Sequence, residues 1–442
     1  METINRTKIQ SIRALVSTMI FFTFLAQPCY ADYNFRVISK LGDPAPPAVV
    51  GGTHDGDFEP QAINNNGNVM FVSDNSTLDS EGLYLNRKGK ESRILGPGYS
   101  IPGALNHLGG YGILGPGDMN ENGDMAVTWS TDVAWKSPLD IVKSAVVLRY
   151  DAAKNRLNKV LVAGDEAPGD TYFRGAYWNS EINNRGMVVA VGMVDTDYGV
   201  CQNPKDPCYG LGLGVYVADN KNKLSKIAVP GGPAPGGGKF DSAEAFSIND
   251  SGDIAFGAHV TGEQCLGFDH NVPRCFTSQY LYRASTGKIS SIAHQGDPIP
   301  GLSGKYFGEV FGGRINNVGD MVYIGNISPT VVTPGVESLG VFLTDRKGKS
   351  RLVVKPGDHV PGGTIFQTGF NPGQVDINNS GIVVFAAQLV DDVDNDGNQD
   401  TGVYVYSRGK ISTVVRTGTV IPGIGKVAIV NNTYSVGSYP TP

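Results

Sequence analysis

An asparagine followed three residues later by glycine recurs six times at nearly constant spacing. It appears as INNNG from Ile63, MNENG from Met119, INNRG from Ile182, INDSG from Ile248, INNVG from Ile315 and INNSG from Ile377. The asparagines Asn64, Asn120, Asn183, Asn249, Asn316 and Asn378 are separated by 56, 63, 66, 67 and 62 residues. A second marker, G-D-x-x-P-G in its fullest form, keeps the same period. It runs GDPAPP at Gly42, GYSIPG at Gly98, GDEAPG at Gly164, GGPAPG at Gly231, GDPIPG at Gly296, GDHVPG at Gly357 and GTVIPG at Gly418. Two independent markers in step mean that one supersecondary unit is repeated. Such a unit buries its apolar faces only against its neighbours.

Each unit reads the same way between the markers. N-x-x-G is a turn, because Asn tolerates the left-handed conformation and Gly adopts positive φ freely. A run such as MVVAVGMV, DIAFGAHV or IVVFAAQLV follows, apolar on both faces as a strand covered from both sides must be. After a variable loop comes an alternating strand ending in a Gly/Lys-rich hairpin turn, as in GVFLTDRKGK. A last strand such as SRLVV then leads into the G-D-x-x-P-G turn. One further short segment precedes the next N-x-x-G. The 59 glycines and 26 prolines, with only 18% charged residues, fit many turns between short strands. A four-stranded sheet covered on both faces by its neighbours is a propeller blade. The expected fold is therefore all-β: a β-propeller of six four-stranded blades. NFRVISK before the first full unit and GKVAIVNN after the sixth leave an alternative of seven, with a reduced closing blade built from both termini.

Residues 1–31 stand apart from the repeats. Arg6, Lys8 and Arg13 precede the apolar run ALVSTMIFFTFLA, and PCYA ends in a small residue before Asp32. This reads as a secretory signal peptide cleaved after Ala31, leaving 32–442 as one propeller domain in the periplasm or outside the cell. Cys29 leaves a lipoprotein as a secondary reading. No later stretch is long and apolar enough for a membrane helix. The leader holds three basic residues and one acidic, so its removal takes the formal charge from −6 to −8. That disfavours nucleic acid as a partner. A monomer is expected.

The repeats resemble a family of exported bacterial tandem-repeat proteins described by N-x-x-G-x-x-x-F. NDSGDIAF, Asn249 to Phe256, is the closest match, and the resemblance covers nearly the whole chain beyond the leader. It implies a propeller-like architecture and export. No established activity comes with the family, so no catalytic residue is carried over.

The variable loops hold the candidate chemistry. In the sixth unit, DDVDNDGNQDTG places Asp392, Asp394, Asp396 and Asp400 as D-x-D-x-D-G-x-x-D, with a backbone carbonyl from Asn398. Oxygens at alternate positions converge on one cation when a glycine, here Gly397, permits the sharp turn. Val403 stands where an EF-hand needs its bidentate Glu, and strands flank the loop. A structural calcium loop of extracellular affinity is the expectation. The same loop in units three and four carries Cys201 with Cys208 and Cys265 with Cys275. Of the three possible pairings, two local disulfides fit the repeat best.

No H-E-x-x-H, G-x-S-x-G or phosphate-binding loop occurs. His259 reads as a packed core residue, and His294 and His359 as partners in turn hydrogen bonds. First strands of blades line the central channel. The residues preceding the repeat starts are Ala62, Asp118, Glu181, Ser247, Arg314 and Asp376. With Ile63 and its equivalents facing the core, Asp118, Glu181, Arg314 and Asp376 become a candidate channel pocket. The leading functional expectation is a non-catalytic exported module that binds a protein, peptide or glycan. The alternative is an extracellular hydrolase or lyase at the channel mouth. Convergence of those four residues in one concave site is the discriminator.

Overall fold

A computed structural model describes residues 37–427, apart from 41, 47–51, 77–79, 104–106, 114, 116, 133–144, 170, 199–208, 264–275, 330–337, 369–374, 391–398 and 422–424. Among the described residues there is no helix, and hence none long and apolar enough to cross a membrane. Six antiparallel sheets stand in a ring, a six-bladed β-propeller.

Blades four and five are four-stranded meanders. Blade four is Phe240–Ile248, Ile254–Val260, Ser278–Arg283 and Lys288–His294. Blade five is Tyr306–Ile315, Met321–Ser328, Leu339–Thr344 and Ser350–Val354. Blades one, three and six add a two-residue strand, Pro44–Ala45, Glu166–Ala167 or His359–Val360, supplied by the preceding G-D-x-x-P-G turn. In blades two and six the first strand breaks in two, Leu108–Ile113 with Asp118–Met119 and Gly363–Thr368 with Val375–Ile377. A seventh turn after blade six forms only a small pair, Val420–Ile421 with Gly425–Lys426.

The glycine that opens each of the seven turns is required by backbone geometry. Its φ lies between 81° and 89° in every copy, a conformation open to Gly at no steric cost. Each donates its N–H to the carbonyl that starts the next first strand, from Gly42 to His54 at 2.8 Å through Gly418 to Val427 at 2.8 Å.

The core lies between blades. The second strands Met125–Thr131 and Ile254–Val260 are buried at every residue, as both-face burial requires. Buried clusters join blades one to two, two to three, three to four, four to five and five to six. In four blades the residue seven after the repeat asparagine stacks on an aromatic of the third strand; blade two has Val127 there. Phe71 stacks on Tyr84, Phe256 on Tyr280, Tyr323 on Phe342 and Phe385 on Tyr404, with centroids 5.4–5.7 Å apart and planes 18–24° from parallel. Blade three has Ala190 at that position, and Phe173 instead meets Tyr216 edge-on at 4.9 Å. Trp129 is wholly buried, and Trp178 is half-buried and stacked on Tyr177 at 5.4 Å.

Two expectations need correction. The repeat asparagines do not adopt the left-handed conformation; only the glycines three residues later do, with φ from 71° at Gly67 to 92° at Gly319. Ile63 does not face a core: it is 70% exposed, whereas Met119, Ile182, Ile248, Ile315 and Ile377 are 3–8% exposed. The physical reason is the seam. Among the described residues no buried cluster joins blade six to blade one, so nothing there covers Ile63.

Candidate site at the channel mouth

The repeat asparagines are a ring of rungs. In each turn the Asn Oδ1 accepts the backbone N–H two and four residues later, as Asn249 does from Ser251 at 3.0 Å and Asp253 at 2.9 Å. Its Nδ2 donates to the carbonyl of the equivalent Asn in the next blade. The chain of donation runs Asn64 to Asn120 (3.1 Å), to Asn183 (3.1 Å), to Asn249 (2.9 Å), to Asn316 (3.1 Å), to Asn378 (2.9 Å). An acceptor and a donor on one short side chain are both needed, which Asp and Ser do not offer in this geometry. A second, outer ring is built by the next residue. The N–H of Glu121 donates to Asn184 Oδ1 at 2.8 Å, that of Asn184 to Asp250 at 2.9 Å, that of Asp250 to Asn317 at 2.7 Å and that of Asn317 to Asn379 at 2.8 Å.

Inside these rings opens an axial cavity of about 460 Å³. Its lining includes Met119, Ile182, Ile248, Ile315, Ile377 and Asp118, but not Glu181, Arg314 or Asp376. At two of the positions before the repeat starts, the side chain bonds to the next blade. Asp118 Oδ2 accepts the N–H of Ile182 in the next blade at 3.0 Å, and Ser247 Oγ accepts that of Ile315 at 3.3 Å. Glu181 and Arg314 leave this pattern. They hydrogen-bond to each other from blades three and five, passing over Ser247 of blade four. A bulge makes this reach possible. The first strand of blade four slips register between Ala245 and Ser247, and the Phe246 carbonyl inside the slip accepts Arg314 Nη1 at 2.6 Å.

The four sequence-picked channel residues form one electrostatic cluster. Burial pushes the Glu181 carboxyl up to about 8, opposed by Arg314 and reinforced by Asp118 and Asp376. Burial also raises Asp118, opposed first by the N–H groups of Ile182 and Met119 and then by Arg314. Asp376 is exposed, with Oδ1 accepting the Ile377 N–H at 2.7 Å. Two carboxyls of one cluster are thus biased toward the protonated form. An exposed third and a guanidinium stand beside them, which is the equipment of acid–base chemistry.

A family model described as a family of unknown function (DUF7453) matches residues 142–433. The chain belongs to that family. No curated protein matches the sequence. Among solved structures, the DUF7453 chain is similar to an oligogalacturonate lyase from Vibrio parahaemolyticus, at 11% identity and TM-score 0.45, over 86% of this chain and 87% of that one. It is also similar to the Pyrococcus horikoshii acylaminoacyl peptidase (13% identity, TM-score 0.42, 80% of this chain and 45% of that one). The third is a GH74 xyloglucanase from Xanthomonas campestris (11% identity, TM-score 0.40, 82% and 46%). Likeness at this level carries no argument about chemistry.

The other candidate residues fall elsewhere. Asp392, Asp394, Asp396 and Asn398 lie outside the described residues, as do Cys201, Cys208, Cys265, Cys275 and residues 1–31. Asp400 is described and buried, 1% exposed, with its carbonyl accepting the Leu389 N–H at 2.7 Å. Among the described residues no three of His, Cys, Asp and Glu are grouped to hold a metal. His259 is buried in the DUF7453 chain, but within a polar network rather than an apolar core: Nδ1 meets Asp241 at 2.9 Å and Nε2 the Glu263 carbonyl at 3.1 Å. His294 Nδ1 meets Ser278 Oγ at 2.8 Å, and His359 Nδ1 meets Thr364 at 2.9 Å. Sequence reasoning missed the asparagine rungs, the Phe246 carbonyl and the role of Ser247. The six-fold recurrence of Asn, where a turn alone accepts Ser or Asp equally well, was the available signal.

Proposed function

We propose that this DUF7453 protein is an exported hydrolase or lyase acting on an extracellular polymer or lactone at the channel mouth. One observation carries the reading. Glu181 and Arg314 do not make the inter-blade bond that Asp118 and Ser247 make; they pair with each other from blades three and five, two blades apart. Departures from a repeated local rule concentrate at functional sites. In this reading Glu181, neutral near pH 7, is the general acid, and the exposed Asp376 is the base. Arg314 orients Glu181 and faces negative charge developing on the substrate. Export rests on the basic and apolar leader and on the resemblance to exported N-x-x-G-x-x-x-F proteins. The calcium loop of Asp392, Asp394, Asp396, Asn398 and Asp400 and the two local disulfides belong to the same proposal as stabilisers outside the cell.

The test is product release from a panel of polysaccharides and lactones, read as new reducing ends, unsaturated product or released acid. Glu181→Gln should lower turnover about 100-fold or more, the contribution typical of a positioned acid. Turnover equal to the unmodified protein would remove the reading. Binding without turnover is the second reading. It is favoured by the way Arg314 already satisfies Glu181 and the Phe246 carbonyl, a closed set that needs no substrate. Saturable binding with no product from any substrate would decide for it.

A further inference from the structure

The seam between blade six and blade one has two apolar walls that, among the described residues, share no buried cluster. We infer that the segment after Val427, residues 428–435, lies in this seam as a closing strand. This goes beyond the channel-mouth reading and does not depend on it.

The first ground is the walls. Register puts Val384 opposite Val405 and Ala386 opposite Val403, on the face of blade six that looks away from blade five. In blade five the same four positions are Val322, Leu343, Ile324 and Val341, and they are 0–4% exposed in the cluster shared with blade six. In blade six Val384, Val403 and Val405 are only half-buried, and Phe366 of its first strand is 47% exposed. The facing wall belongs to blade one. In every other blade the repeat-start residue is buried in a cluster shared with the blade before it, as Ile377 is with Val322 of blade five. Ile63, paired with Val69 as Ile377 is with Val383, is 70% exposed. Against the third strand of blade one the gap is already filled. Ile38 packs there on the Phe71 and Tyr84 cluster, and its carbonyl accepts Asn86 Nδ2 at 3.5 Å. The part nearer the axis stays open.

The second ground is where the chain goes. The turn at Gly418 repeats the other six. Its φ is 84°, the Gly418 N–H donates to the Val427 carbonyl, and the Val427 N–H donates to that of Thr419, both at 2.8 Å. Gly231 with Phe240 and Gly357 with Ile365 form the same turn, and there the second residue enters the first strand of the next blade. Val427 therefore stands at the foot of the open seam. Val427–Ser435 is as long as Phe240–Ile248, the 9-residue first strand of blade four, and so runs the height of a blade. VAIVNNTYS carries no charge, and strand alternation sends Ile429 to one wall and Ala428 and Val430 to the other. The DUF7453 match takes in 428–433, so these residues belong to the shared domain. A segment already attached at Val427 also enters the seam as an intramolecular step, an advantage that a second copy or a free peptide lacks. One strand then stands where a whole sheet faces each of the other seams, and this seam remains the weakest of the six.

Hydroxyl-radical footprinting of the full chain, read by mass spectrometry, tests this. Tyr434 should be oxidised several-fold more slowly than Tyr172 and Tyr209, which are 62% and 51% exposed. Ending the chain at Val427 should raise oxidation of Ile63 and Phe366 several-fold and leave the wholly buried Trp129 unchanged. Ile429→Asp with Val430→Asp in the full chain should do the same, which covers a truncation that fails to fold. Should both variants also expose Trp129, the tyrosine comparison on the unmodified chain decides alone. Tyr434 oxidised as fast as Tyr172, or Ile63 and Phe366 indifferent to both variants, overturns the inference. Shielding of Ile63 and Phe366 that deepens with protein concentration and survives both variants assigns the seam to a second copy and overturns it as well.

Discussion

At the scale of single residues, the repeat asparagine shows how one side chain holds two blades. Its oxygen closes its own turn and its amide nitrogen reaches the next. Replacing Asn249 by Asp keeps the first role and removes the donor, leaving the buried Asn316 carbonyl facing a carboxylate. A cost of about 1–3 kcal/mol is expected in urea unfolding. Asn378 is the control: it is exposed and, among the described residues, its amide reaches no further blade. Asn378→Asp should cost well under half as much. Equal costs would mean that the asparagines serve their turns alone. Glu181 gives a pH signature. Burial raises its carboxyl to about 8 in the folded protein, above the ordinary 4.5. The folded protein therefore holds this proton more tightly than the unfolded chain does. The resulting stability is full below about pH 4.5 and is lost as pH rises through about 8. Glu181→Gln should flatten that fall, so its urea midpoint, relative to the unmodified protein, rises between pH 5 and pH 9. A parallel pair of curves would mean that Glu181 is ionised throughout.

At the scale of strands, what was legible in the sequence and what was not separate cleanly. Second strands were legible because burial on both faces forces unbroken apolar runs, as in DIAFGAHV. The turns were legible because positive φ at positions such as Gly164 and Gly252 admits little besides glycine. First strands were harder. Their bulges between Tyr177 and Ser180, Ala245 and Ser247, and Phe311 and Arg314 decide which side chains enter the channel. The slips at Ala245/Ser247 and Phe311/Arg314 insert one extra residue and shift the alternation, that at Tyr177/Ser180 inserts two and keeps it, and Trp178-Asn179, Phe246 and Gly312-Gly313 share no composition that announces either. Channel positions could therefore be named by counting back from each repeat start. The pairing of Glu181 with Arg314 could not, because it skips a blade and depends on the small Ser247 between them. The stacked pairs, such as Phe256 on Tyr280, were hidden for a different reason. They join strands through side chains 13 to 24 residues apart, and blade three reaches the same filling with Phe173 instead.

At the scale of the whole molecule, the ring is stabilised unevenly. Five seams each carry an asparagine rung and a buried cluster. At the sixth, among the described residues, Ile63 is 70% exposed, Phe366 is 47% exposed, and no rung leaves Asn378. A repeat array is held by its neighbour interfaces, so local opening begins where an interface is poorest. Hydrogen exchange should report this directly. Amides of Gly52–Ile63 in blade one and Gly363–Thr368 in blade six should exchange first among the first strands. Those of Phe240–Ile248 in blade four, buried at every residue, should exchange last. The two outer blades should lose protection at a lower denaturant concentration than blades three and four, while the asparagine rungs keep the central blades opening together. Uniform protection around the ring would mean that the sixth seam is as strong as the others, and that the exposure of Ile63 has no energetic consequence. The same gradient bears on the channel. Asp118, Glu181 and Arg314 belong to blades two, three and five, on the protected side, whereas Asp376 belongs to blade six. Opening at the seam would then release Asp376 from the cluster while leaving the Glu181–Arg314 pair in place.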